Sequence, residues 1–222
     1  MNRRIVAGVI LLIPLSYIYG LSVLSIFMGG QSVVTPLLLF VSLVVNLLVM
    51  GGSSILCVRV LYGGGAGRVF RNLYFRKEGA IRSAVTGIFA AVAFLFILSL
   101  AIYALQSTGY ETENGMADEI ADSITLPLLF AVPLLSALSE EMFFRAFLQM
   151  RLAKYGQPFA IVVSSVLFGI AHLSYGNLLQ VVVPFIFGIV LGYLMMKNEN
   201  IVAPFSAHFA FNFIQLAAVF LS

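Results

Sequence analysis

Ser139-Glu140-Glu141-Met142-Phe143-Phe144-Arg145 sets two acids and a base inside an apolar run that extends from Ile124 to Leu152. Read as a helix crossing a bilayer, such a run makes each ionised side chain cost about 2.5–3.5 kcal/mol on insertion scales. Three of them unpaired would cost about 8–10 kcal/mol, comparable with the whole stability of a typical domain. The three groups must therefore be paired, protonated or turned toward a water-filled cavity. Ionisable side chains at this depth mark a functional site by default.

The rest of the chain makes lipid the expected solvent. Its 222 residues are 61% hydrophobic and only 9% charged, with a mean hydropathy of +1.07. A soluble globular domain is far less apolar. Several runs reach the ~20 residues that a helix needs to cross a bilayer, and the alternation of an outer-membrane barrel is absent. The expectation is an all-α, polytopic transmembrane helical bundle, an integral multi-pass protein of the plasma membrane. It reads as a single membrane domain over residues 1–222, with N-terminal helices and loops to residue 123 and a motif-bearing core over 124–222. The lone cysteine, Cys57, excludes an internal disulfide and reads as a small apolar filler. A net charge of +3 gives no reason to expect nucleic acid.

About seven spans account for the chain. Ile5 to Met28 is longer than a signal-peptide core and has no small-residue cleavage site, so it is expected as a retained first helix. Gly29 to Val34 is a turn, and Thr35-Pro36 opens a second span reaching about Leu61, since proline suits a first helical turn. Tyr62 to Arg82 is a glycine-rich, basic and aromatic loop. It lacks the Lys-Ser/Thr ending of a phosphate-binding loop and is expected to lie on anionic lipid. The third span runs from about Ser83 to Leu105. An acidic loop, Gln106 to Ser123, precedes the fourth, about Ile124 to Leu152. The fifth reaches from Pro158 to about Leu173, the turn Ser174 to Asn177 follows, and the sixth covers Leu178 to Met196 and contains Gly188-xxx-Gly192, spacing that admits a close neighbour. The seventh is Ile201 to Leu221.

With the N-terminus in the cytoplasm, every lysine and arginine except Arg145 falls on the cytoplasmic side, and the acidic loop falls outside. Arg145 belongs to the opening motif. Both histidines, His172 and His208, also fall inside expected spans.

At ~1.5 Å per residue, Glu140 and His172 each lie roughly 20 Å from the cytoplasmic ends of their spans, and His208 and Asn212 roughly 10–18 Å from theirs. One cavity can hold all four. Glu141 and Arg145 are i, i+4 and face one another, while Glu140 points about 100° away and is left for chemistry. His208 and Asn212 are also i, i+4. Phe168 is one turn before His172 and packs beside it. Pro133 removes a backbone hydrogen bond from the fourth span just before the motif. A carboxylate, two imidazoles and an amide suit peptide hydrolysis: a glutamate with a histidine works on water, and a second histidine with an asparagine stabilises the oxyanion. Ser136 and Ser139 are near, but no histidine is linked to either by spacing, so a serine nucleophile is disfavoured.

Glu140-Glu141-xxx-Arg145, Phe168-xxx-His172 and His208-xxx-Asn212 stand in order on successive spans. In this the chain resembles the CAAX prenyl endopeptidase and bacteriocin-processing family of intramembrane proteases, whose motifs are EExxxR, FxxxH and HxxxN. The resemblance covers about Leu126 to Leu221. It implies that Glu140 with His172 activates water and that His208 with Asn212 forms the oxyanion hole, with Glu141, Arg145 and Phe168 in support. The implied substrate is a membrane-associated or lipidated peptide or protein, cut near the cytoplasmic side of a lipid-embedded cavity. No metal ligands and no cofactor are assigned. The alternative is a divalent metal such as zinc, held by glutamates and histidines from different helices, since the HExxH pair is absent.

Two other classes compete. A non-catalytic member of the family would act by binding, as a bacteriocin-immunity or assembly factor. A proton-coupled transporter would use the same glutamates and histidines as a relay, but the chain shows no internal repeat.

Overall fold

The computed structural model describes residues 2–27, 35–110, 123–173 and 178–221. The expected turns at 29–34 and 174–177, and most of the acidic loop, lie outside the described residues.

Every described element is helical. The helices are α1 (Arg3–Phe27), α2 (Pro36–Tyr62), α3 (Ala66–Asn72), α4 (Ala80–Ser107), α5 (Leu126–Tyr155), α6 (Gln157–Ile170), α7 (Leu179–Asn198) and α8 (Val202–Phe220). Their starts follow from the sequence. The Thr35 hydroxyl caps α2 by accepting from the Leu38 N–H at 3.3 Å, with Pro36 in the first turn. Thr125-Leu126-Pro127 opens α5 in the same way, although the Thr125 side chain makes no capping bond. Among the described residues, six helices are long and apolar enough to span a bilayer. The expected fifth span, α6, has only 14 helical residues, about 21 Å at 1.5 Å per residue. It stops at Ile170, and His172, expected within the span, lies in the turn just beyond, its N–H donated to Gly169 O at 3.0 Å.

Small residues decide which helices meet. Gly87 of α4 rests on the backbone of α8, where a Cβ would collide with the carbonyl oxygen of Ala203. Ala91, Ala203 and Ala207 are fully buried along this seam, which is closed by the rings of Phe94, Phe187 and Phe211, with Phe187 and Phe211 stacked at 4.3 Å. Gly188 and Gly192 bring α7 onto α6 and α5: a Cβ on Gly188 would lie 3.1 Å from Ser165 Cβ, and one on Gly192 would lie 2.8 Å from Gln149 Oε1. Cys57 is buried and directs its thiol at Ala7 O of α1, 3.5 Å away. Outward-facing side chains such as Leu37, Ile97 and Leu126 stay more than 60% exposed, an apolar jacket that only lipid can cover.

The basic loop is more ordered than its glycines suggest. Gly63, at φ +65°, ends α2, and α3 follows within three residues. The segment after α3 is strapped to the α7–α8 turn: Ile201 N–H donates to Tyr74 O at 3.0 Å, and the Asn200 amide donates to Arg76 O at 3.0 Å and Glu78 O at 3.4 Å. Asn200 is 1% exposed, so these bonds are made in a dry setting. The Arg76–Glu199 pair at 3.3 Å is solvent-exposed and adds little.

Candidate active site

Helix α5 turns from α to π at Glu141 and keeps the wider winding to Gln149. The spacing of apolar residues gives no sign of this change, which is frequent at functional sites. Across it, Glu141 and Arg145 still meet, with Oε2 and Nε 3.5 Å apart and both side chains fully buried. The Arg145 guanidinium lies 4.3 Å over the Phe168 ring and donates to Gly188 O at 3.4 Å. Arg145 thus ties α5 to α6 and α7.

His208, on the second turn of α8, does more than face Asn212. Its Nδ1 lies 2.8 Å from Glu141 Oε1. An ionised carboxylate only accepts, so Nδ1 carries the proton and donates it. Its Nε2 is then turned toward Glu140, with Oε2 at 3.9 Å. The edges of Phe168 and Phe187 hold the ring at centroid distances of 5.7 and 5.9 Å and near-perpendicular planes. Glu141 therefore serves two partners, Arg145 through one oxygen and His208 through the other. The spacing argument found only the first, because the second is 67 positions away.

His172 is fixed by its own helix end. Its Nδ1 is 2.8 Å from Phe168 O, and a carbonyl can only accept, so Nδ1 bears the hydrogen and Nε2 holds the lone pair of the neutral ring. The Phe168 ring packs against it at 4.8 Å, as the FxxxH spacing suggests. The Asn212 amide donates to Ser136 Oγ at 3.3 Å, and that hydroxyl donates to Val132 O at 2.7 Å. Ser136 is thus a holder of Asn212, a role sequence reasoning missed. Ser139 donates to the Ser136 carbonyl at 3.0 Å.

Glu140, His172, His208 and Asn212 all line one cavity of about 530 Å³. The two glutamates differ in access. The Glu140 side chain is 19% exposed and Glu141 is sealed at 0%, so only Glu140 presents a carboxylate to the cavity. The remaining wall includes Leu98, Val183, Phe187 and Phe211. The lining of this cavity runs on to Leu39, Ile102 and Leu179, at the helix ends remote from the basic loops.

Among the described residues, no three His, Cys, Asp or Glu side chains are grouped to hold a metal ion. Glu141 and His208 spend their facing atoms on each other. No step below is routed through a metal.

Fold and site together define a multi-pass membrane protein with a carboxylate, imidazole and amide cavity among its last four helices. Residues 122–214 match the family model described as Rce1-like, type II CAAX prenyl endopeptidase Rce1-like. All of the motif residues lie within that stretch. That stretch of the chain is similar to the CAAX-type membrane endopeptidases. No curated protein and no solved structure matches the chain.

Proposed function

We propose that the protein is an intramembrane endopeptidase in which Glu140 is the general base on water. The observation that carries this reading is the shared cavity: the one partly exposed carboxylate of the motif stands there with both histidines and Asn212. Glu140 takes a proton from a water molecule, and His172, presenting Nε2, orients that water from the other side. Hydroxide adds to the peptide carbonyl, and the developing oxyanion is met by His208 and Asn212. His208 donates from Nε2 while keeping its Glu141 bond only as an imidazolium, so Glu141 acts on the reaction through the ring it holds. The proton taken by Glu140 then passes to the leaving amine. The apolar wall supports a peptide with apolar side chains, whether lipidated or not. A non-catalytic binding role is the second reading, and the same experiment separates the two.

The test is cleavage of a library of lipidated and unlipidated peptides by the purified protein, comparing wild type with Glu140→Gln, each with and without chelator. Activity lost in the variant and kept under chelation is the expected result. Chelator-sensitive activity restored by metal would replace the mechanism, and a folded wild type that binds peptides without cutting any would favour the binding role.

A further inference from the structure

The cavity and the charge pattern point to opposite faces of the membrane. Every lysine and arginine other than Arg145 sits at one set of helix ends: in the first turn of α1, from the last turn of α2 through the first turn of α4, at the close of α5 and at the end of α7. This is the cytoplasmic face by the preference of basic residues for cytoplasmic loops. In that direction from Glu140 the described side chains are packed away from solvent. Glu141, Arg145 and Gln149 are fully buried, as are Met195 and Ala203, and the strap over Asn200 closes the end.

In the other direction the cavity continues to the helix ends. It is lined by Leu39 in the first turn of α2, by Leu179 and Gln180 at the start of α7, and by Ile102 and Gln215 in the last two turns of α4 and α8. Gln215 is exposed. Two amides on this route, Asn46 and Gln180, make no side-chain hydrogen bond among the described residues. In hydrocarbon an unsatisfied amide costs several kcal/mol, roughly the price of excluding such groups from lipid-facing positions, so these amides face water or a peptide backbone. Apart from Glu140 the lining holds no aspartate, glutamate, lysine or arginine.

We infer that the cavity opens on the non-cytoplasmic face and takes its peptide from there. The inference rests on the endopeptidase reading for the nature of the ligand, and it selects among substrates: an exported peptide or the outward end of a membrane segment reaches Glu140, whereas a cytoplasmic lipidated tail meets the sealed face. The rim of leucines and uncharged amides suits an apolar, uncharged stretch whose backbone groups bond to Asn46 and Gln180.

Site-directed thiol labelling tests this without any substrate. Gln180→Cys and Gln215→Cys place a thiol at the rim, and Lys197→Cys places one on the basic face. Cys57 is buried and wild type serves as the blank. Each variant is treated with a membrane-impermeant maleimide in right-side-out cells and in everted vesicles. The expected result is rim labelling in intact cells and Lys197→Cys labelling only in everted vesicles. Rim positions that label from the same face as Lys197→Cys, or that both stay unlabelled from either face, would overturn the inference. Because labelling requires no catalysis, failure here is distinct from failure of the endopeptidase reading.

Discussion

His208 Nδ1 lies 2.8 Å from Glu141 Oε1, joining the second acid of the α5 motif to the histidine of α8. The same carboxylate holds Arg145 through its other oxygen at 3.5 Å. One buried glutamate thus orients a ring that faces the cavity and neutralises a guanidinium that packs three helices together. Glu140, its neighbour in sequence, is the member that lines the cavity.

Glu140→Gln keeps size and hydrogen bonding but removes the base. Cleavage is expected to fall by about 10²–10⁴-fold, the usual range for a general base. Membrane abundance and thermal unfolding should match wild type. A variant that retains activity within a few-fold would remove Glu140 from the chemistry.

Arg145→Ala leaves the fully buried Glu141 carboxylate with His208 alone. Breaking a buried pair by removing one partner costs about 3–5 kcal/mol. Lower abundance and a lower melting temperature in detergent are expected. Activity lost at normal abundance and stability would instead make Arg145 part of the reaction.

Glu141 and His208 are expected to be coupled. Residues in direct contact show interaction energies of about 0.5–3 kcal/mol in double-mutant cycles. Thermal unfolding of Glu141→Gln, His208→Ala and the double variant should be non-additive within that range. Strict additivity would mean that the 2.8 Å bond does not persist in the membrane.

Asn212→Ala is expected to slow single-turnover cleavage by about 10²–10³-fold, the cost of losing one oxyanion donor, with peptide binding largely retained. Ser136→Ala should produce a smaller loss, because Ser136 only holds the Asn212 amide. If Ser136→Ala abolished cleavage as fully as Glu140→Gln, a serine nucleophile would return to consideration.

Gly87→Val sets a side chain against the Ala203 backbone at the α4–α8 seam. Backbone on both sides cannot yield, so a substantial loss of stability and abundance is expected, whereas Gly20→Ala, with open space around its Cβ, should be near neutral. Equal melting temperatures for the two variants would contradict the packing of α4 on α8.

Hydropathy determined the class of this protein and the approximate ends of most helices, because about 20 apolar residues in succession have few ways to satisfy their backbone away from water. Local spacing also determined what lies within one or two turns: the Glu141–Arg145 pair, the Phe168–His172 contact and the close approach at Gly188 and Gly192. These are short-range consequences of helical geometry. Only the tertiary structure decided that Glu141 holds His208, that Ser136 holds Asn212, that α5 winds as a π-helix through its motif and that α6 ends before His172. It also decided at which end of the bundle the cavity lies. Partners 67 or 76 positions apart leave no periodic trace in the chain, and where a bundle is open depends on how side chains from six helices fill it, which no single helix specifies.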